Sequence, residues 1–97
     1  MDKKVRALCA ERANGYCEYC GVWGGDTLHC HHILRRVPQE TTDNCVMLCL
    51  GCHTELHGGK NSRKIDLDLK YMLQAKYEKQ GLNIVEIRKL MGGKLYI

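Results

Sequence analysis

The sequence predicts a small α+β domain in which a cysteine-bound zinc staples a hairpin and a helix between two helical flanks. Three observations predict it. Two C-x-x-C pairs, CEYCG at 17–21 and CLGCH at 49–53, are separated by 28 residues. The stretch 16–59 reads in order as knuckle, turn, strand, loop, strand and helix. On both sides of it, apolar residues recur at helical spacing.

Length and composition narrow the class. At 97 residues the chain has room for one domain, 1–97, with a modest core. Chains this short often need a metal or disulfides to stay folded. The seven cysteines are an odd number, and no apolar run follows a basic start, which argues against a secreted disulfide framework. A reducing cytoplasm is the expected setting. No stretch is apolar for long enough to cross a membrane, so no membrane partner is expected. The net charge of +4, from 15 Lys+Arg against 11 Asp+Glu, permits nucleic-acid binding without demanding it.

Residues 1–15 read as a helix, with Asp2 as N-cap, Val5, Leu8 and Cys9 at helical spacing, and Asn14-Gly15 as the stop. Residues 16–59 carry nearly all the Cys and His. Residues 60–97 form a helical extension. There GGKNSRK reads as a linker, followed by a helix capped by Asp66 and stopped at Gly81. Leu69, Met72, Leu73 and Ala75 can supply its inner face. A second short helix is expected from about Asn83 to Met91, ended by Gly92 and Gly93.

Zinc takes four ligands in a tetrahedron, and thiolates suit it. A C-x-x-C turn brings two sulfurs to one ion, and Gly21 tolerates the tight backbone of such a knuckle. Cys17, Cys20, Cys49 and Cys52 are therefore the expected ligands of a closed, structural zinc. A redox dithiol would want one C-x-x-C beside a βαβ pattern, which is missing. Cys9, Cys30 and Cys45 are left over and read as small buried hydrophobes. Trp23 reads as a packing residue.

All five histidines fall between positions 29 and 57. His53 and His57 have the i, i+4 spacing that puts two side chains on one helix face. Cys52 and His53 diverge by about 100° around that helix, so one can serve the zinc and the other a second metal. His31 and His32 would point to opposite faces of an ideal strand. If both serve one site, the strand cannot remain regular through them. His29 has no assigned role.

The pattern C-x-x-C … HHI … DNCVMLC-x-x-CH-x-x-x-H resembles the HNH endonuclease family in its zinc-ribbon form. The resemblance spans roughly residues 12–58, with the three letters on His32, Asn44 and His53. It implies the ββα-metal (HNH, or His-Me finger) core, in which a hairpin packs against a helix. His32 would then be the general base, and His31 would stand where many members carry an acidic metal ligand. His53 would complete the catalytic metal site, and His57 matches the further histidine ligand of the DNase colicins. Asn44 would hydrogen-bond backbone and fix the hairpin that aims His32.

Phosphodiester hydrolysis asks for these residue types. A divalent cation stabilises the charge on the phosphate and the departing oxygen, and an imidazole kept off the metal can take the proton from water. An imidazole-rich set suits Mn²⁺, Co²⁺, Ni²⁺ or Zn²⁺ better than Mg²⁺. Arg35 and Arg36 either contact phosphates or form a solvated pair. Lys60, Arg63 and Lys64 form a second basic cluster, whereas Lys70, Lys76 and Lys79 read as a solvated face. The expected function is a metal-dependent DNA endonuclease that nicks one strand as a monomer or weak dimer. The family suggests bacterial or phage DNA processing, with other phage or restriction proteins as further partners. The alternative is a non-catalytic zinc-ribbon module that binds nucleic acid.

Overall fold

The computed structural model describes residues 2–35 and 41–96. Its elements are α1 (Lys3–Ala13), β1 (His29–His32), β2 (Cys45–Leu48), α2 (Leu50–Gly58), α3 (Ser62–Lys79) and α4 (Ile84–Leu90), with a single 3₁₀ turn at Gly25–Thr27. This is the expected α+β order. No described helix is long and apolar enough to cross a membrane.

Helix α1 starts where its cap requires. Asp2 Oδ1 accepts from the amides of Lys4 at 2.8 Å and Val5 at 3.1 Å. It stops at Asn14, which is left-handed at φ 51, followed by Gly15 at φ 85. Gly15 is needed twice over, because a Cβ there would also collide with the Trp23 ring. Trp23 packs over that backbone and meets Tyr16 edge to face, at 5.1 Å between ring centroids, yet stays 64% exposed. The buried face of α1 is only Cys9 and Ala13. Leu8, expected inside, is 52% exposed, because it lies one step around the helix from that i, i+4 pair.

Strands β1 and β2 pair antiparallel, with His29 opposite Leu48, Cys30 opposite Met47, His31 opposite Val46 and His32 opposite Cys45. All four β2 residues are buried, since α1 packs against one face of the hairpin and α2 against the other. The ladder runs regularly through His31 and His32, so the expected break between them does not occur. The strand ends one residue later instead, and the chain bends through 33–35.

Arg12 ties three segments together. Its Nε and Nη2 donate to the two carboxylate oxygens of Glu18 at 2.8 Å each, a bidentate pair. Its remaining donors reach the carbonyls of Thr42 and Cys45 at 2.7 Å each. Glu18 in turn accepts from the Met47 amide at 3.0 Å, and donates its own amide to the Met47 carbonyl at 2.8 Å. The knuckle is thereby locked to β2.

The C-terminal third differs from expectation at its start. Helix α3 begins at Ser62, so most of the expected linker is helical and Asp66 lies inside the helix. The cap residue is Asn61, whose amide and side chain bond Glu55 of α2 at 2.8 and 3.3 Å. The two helices therefore join without a flexible spacer. The inner stripe is Ile65, Leu69, Leu73 and Tyr77, a strict i, i+4 repeat. Met72 and Ala75 fall off that stripe and are exposed. Gln74 is buried and exchanges two hydrogen bonds with the Tyr96 backbone, at 2.7 and 2.8 Å, which pins the C-terminal segment on α3. Helix α4 matches expectation, with a capping box between Asn83 and Glu86 and glycines at 92 and 93 beyond its end.

Candidate metal centres and active site

The four cysteines of the two C-x-x-C pairs converge, with their sulfurs all within 4.8 Å of one another. Each pair makes a knuckle bond: the Cys20 amide points at Cys17 Sγ (3.5 Å) and the Cys52 amide at Cys49 Sγ (3.4 Å). Cys20 Sγ and Cys49 Sγ are 3.7 Å apart. Sulfurs about 2.3 Å from one tetrahedral Zn²⁺ are separated by about 3.8 Å, so the set fits zinc. Burial raises the Cys17 thiol, but hydrogen bonds from the backbone of Cys20, Cys49 and Tyr19 outweigh it and bring the pKa down to about 6. Burial and the neighbouring sulfurs push Cys52 up. A negative charge on Cys52 is thus disfavoured, a penalty that a central dication would remove.

A second cluster lies on the α2 side of the hairpin. His31 from β1 meets His53 and His57 from α2, with one ring nitrogen of each within 4.8 Å of the others. His53 Nε2 and His57 Nε2 are 3.2 Å apart. Two nitrogens about 2.1 Å from one metal are separated by about 3.0–3.4 Å, for right-angle and tetrahedral geometry respectively. The His31 ring stands at 74° to His53 and 85° to His57, as ligands converging from different directions do. Burial, then the charges of His57 and His53, lower the His31 pKa to about 4. Burial and His29 also lower His53. Both imidazoles are thus neutral at pH 7, the form that binds a cation.

His29, without a role in the sequence, stacks face to face on His53, with centroids 4.5 Å apart and planes 3° from parallel. It shares the β1 face of His31, two residues along. That i, i+2 relation was visible in HCHH, but its target on α2 was not.

Asn44 is 1% exposed. Its Oδ1 accepts from the Leu34 amide at 2.8 Å and its Nδ2 donates to the Leu34 carbonyl at 3.0 Å. The Ile33 amide bonds the Asn44 carbonyl at 2.9 Å. One buried side chain therefore clamps the bend that follows His32.

His31, His32 and His57 all line one groove of about 680 Å³. His32 reaches it from the last position of β1, so His31 and His32 border one groove although the ladder stays regular. Arg35, Lys60, Arg63 and Lys70 also line it, with Asp66 the one acid among its lining residues. Lys70 was expected on a solvated face. It lies at i+7 from Arg63 and i+4 from Asp66, with which it pairs at 2.8 Å, so the three share one α3 stripe. Lys64 points elsewhere, pairing with Asp68 at 2.7 Å beside the Tyr19 hydroxyl. Arg36 lies outside the described residues.

Comparison with known proteins accords with this geometry. Residues 17–59 match the family model described as HNH endonuclease. A curated relative, the type IV methyl-directed restriction enzyme EcoKMcrA of Escherichia coli (strain K12), is 38% identical over 73 residues. The alignment covers 66% of this chain and 26% of that enzyme, so the chain spans about a quarter of its relative. A nuclease family match thus falls on the segment that holds the cysteine knuckles, the paired strands and the histidine cluster: residues 17–59 form an HNH domain.

Proposed function

We propose that the chain is a metal-dependent DNA endonuclease that hydrolyses phosphodiester bonds and nicks one strand. The observation that carries the proposal is the opening of His31, His32 and His57 into a single groove lined by four cationic side chains. The restriction-enzyme relative supports DNA as the polymer cut.

The residues divide the work. His31, His53 and His57 would hold a divalent ion, and the all-imidazole set favours Mn²⁺, Co²⁺, Ni²⁺ or Zn²⁺ over Mg²⁺. When bound, that ion supplies electrostatic stabilisation of the phosphate oxygens and the departing 3′ oxygen. His32 takes a proton from the attacking water as its oxygen bonds phosphorus and the bond to the 3′ oxygen breaks. Asn44 positions His32 by holding the bend behind it. Arg35, Lys60, Arg63 and Lys70 grip flanking phosphates. Arg36 and Lys64 are proposed as further phosphate contacts. The four-cysteine zinc holds the fold.

Supercoiled plasmid tests this. With Mn²⁺ or Ni²⁺ the wild type converts it to the nicked form, and chelator stops it. His32→Ala lowers the rate about 10²–10⁴-fold, the usual worth of a general base, with metal content unchanged. Nicking by His32→Ala at the wild-type rate rejects the assignment of the base. No cutting by wild type with any divalent ion favours the non-catalytic binding module instead.

A further inference from the structure

Three cysteines stand outside the sites described so far, and they are not scattered. Cys9 from α1, Cys30 from β1 and Cys45 from β2 bring their sulfurs within 4.8 Å of one another, the same separation limit that the four-cysteine set meets. All seven cysteines of the chain therefore fall into two clusters. Cysteines used only as small hydrophobes would be expected to pack into different parts of the core. Here α1, β1 and β2 each aim a thiol at one point.

The surroundings suit a bound cation. Cys9 and Cys45 are 0% exposed, and Cys30 is the partly open member. The positive charge of Arg6, acting on Cys30, offsets part of the excess negative charge of three thiolates around one metal. The Thr42 carbonyl lies 3.8 Å from Cys9 Sγ. A second observation points the same way. The fully buried residues of α1 are only Cys9 and Ala13, with Val5 packed beside them and Arg12 reaching the Thr42 and Cys45 carbonyls, a small apolar area for an 11-residue helix. A metal shared by Cys9, Cys30 and Cys45 would add an anchor at the buried centre of that face.

We propose that Cys9, Cys30 and Cys45 form a second thiolate metal site, which takes a soft closed-shell cation, Zn²⁺ or Cu⁺, and staples α1 to the back of the hairpin. Three thiolates satisfy Cu⁺ in trigonal geometry, while Zn²⁺ would add a fourth ligand on the open Cys30 side. Cys30 lies between His29 and His31 in β1 but faces the other way, so the site braces the strand that carries the histidine cluster.

Cadmium-113 NMR on the full chain loaded with Cd²⁺ tests this, because thiolate-bound and imidazole-bound cadmium resonate far apart. The wild type shows two separate thiolate resonances, and Cys30→Ala loses one of them together with one equivalent of bound metal. Nicking plays no part in this readout, so it stands apart from the nuclease proposal. A single thiolate resonance in wild type, with equal metal content in Cys30→Ala, overturns the site. Should Cys30→Ala fold poorly, the number of thiolate resonances in wild type decides alone. Anaerobic titration with Zn²⁺ and with Cu⁺, followed by the metal content retained after gel filtration, identifies the cation.

Discussion

His29 shows how much a single ring can matter without touching a metal. Its stack on His53 holds the plane of a proposed ligand that stands on an otherwise exposed part of α2. Groups that orient metal ligands typically change affinity or activity about 10–100-fold when removed. His29→Ala is therefore expected to lower affinity for the catalytic divalent ion about tenfold while the circular dichroism spectrum is unchanged, as isothermal titration with Mn²⁺ or Ni²⁺ would show. Asn44 is a different case, because its side chain is buried and fully used. Asn44→Ala leaves the Leu34 amide and carbonyl buried without their partner, at about 1–3 kcal/mol for each such group. Urea denaturation should register a loss of about 2–4 kcal/mol by the same reckoning. Nicking should fall further than the unfolded fraction explains, because the bend behind His32 is released.

At the scale of elements, the knuckles and the hairpin depend on one another. The cysteine knuckles bracket β1 and β2, and Arg12 with Glu18 ties the first knuckle to β2. A structural zinc contributes its binding free energy directly to folding. Cys49→Ser is expected to lose the zinc and the cooperative thermal transition, while His53→Ala keeps both and loses activity. Equal unfolding of the two variants by circular dichroism would contradict two separate metal roles. Helix α3 illustrates the limits of local signals. Asp66 looked like a cap because it precedes an apolar run and follows a glycine- and lysine-rich stretch. Glu55 captures Asn61 instead, and the helix starts a turn earlier.

At the scale of the whole molecule, cationic side chains from separate segments meet. Arg35, Lys60, Arg63 and Lys70 come from three different segments yet line one groove. Each phosphate contact contributes about 0.9 to the slope of log affinity against log salt on duplex DNA. Lys60→Ala and Arg63→Ala should each reduce the slope by about one, measured by fluorescence anisotropy with a metal-free duplex, without changing zinc content. An unchanged slope in both variants would remove the groove from the DNA path.

Much of the site was legible because its information is local. C-x-x-C spacing places two sulfurs on one turn, H-x-x-x-H places two rings on one helix face, and Asp2, Asn14 and Asn83 act on amides a few residues away. The pairing of residues far apart in sequence was not local. That His31 rather than His32 joins His53 and His57 depends on strand register, and a one-residue slip would exchange them. The regular ladder through both histidines comes from the pairing of β1 with β2, the stack of His29 on His53 from how α2 docks on the hairpin, and Lys70 beside the groove from how α3 docks on α2. The same docking, with α1 on the opposite face, gathered Cys9, Cys30 and Cys45 from residues that singly read as core. Sequence alone determined the candidate ligand types and the local turns that present them, because covalent spacing sets those. Tertiary packing decided which ligands meet, because only burial of the shared core brings separate elements within bonding distance.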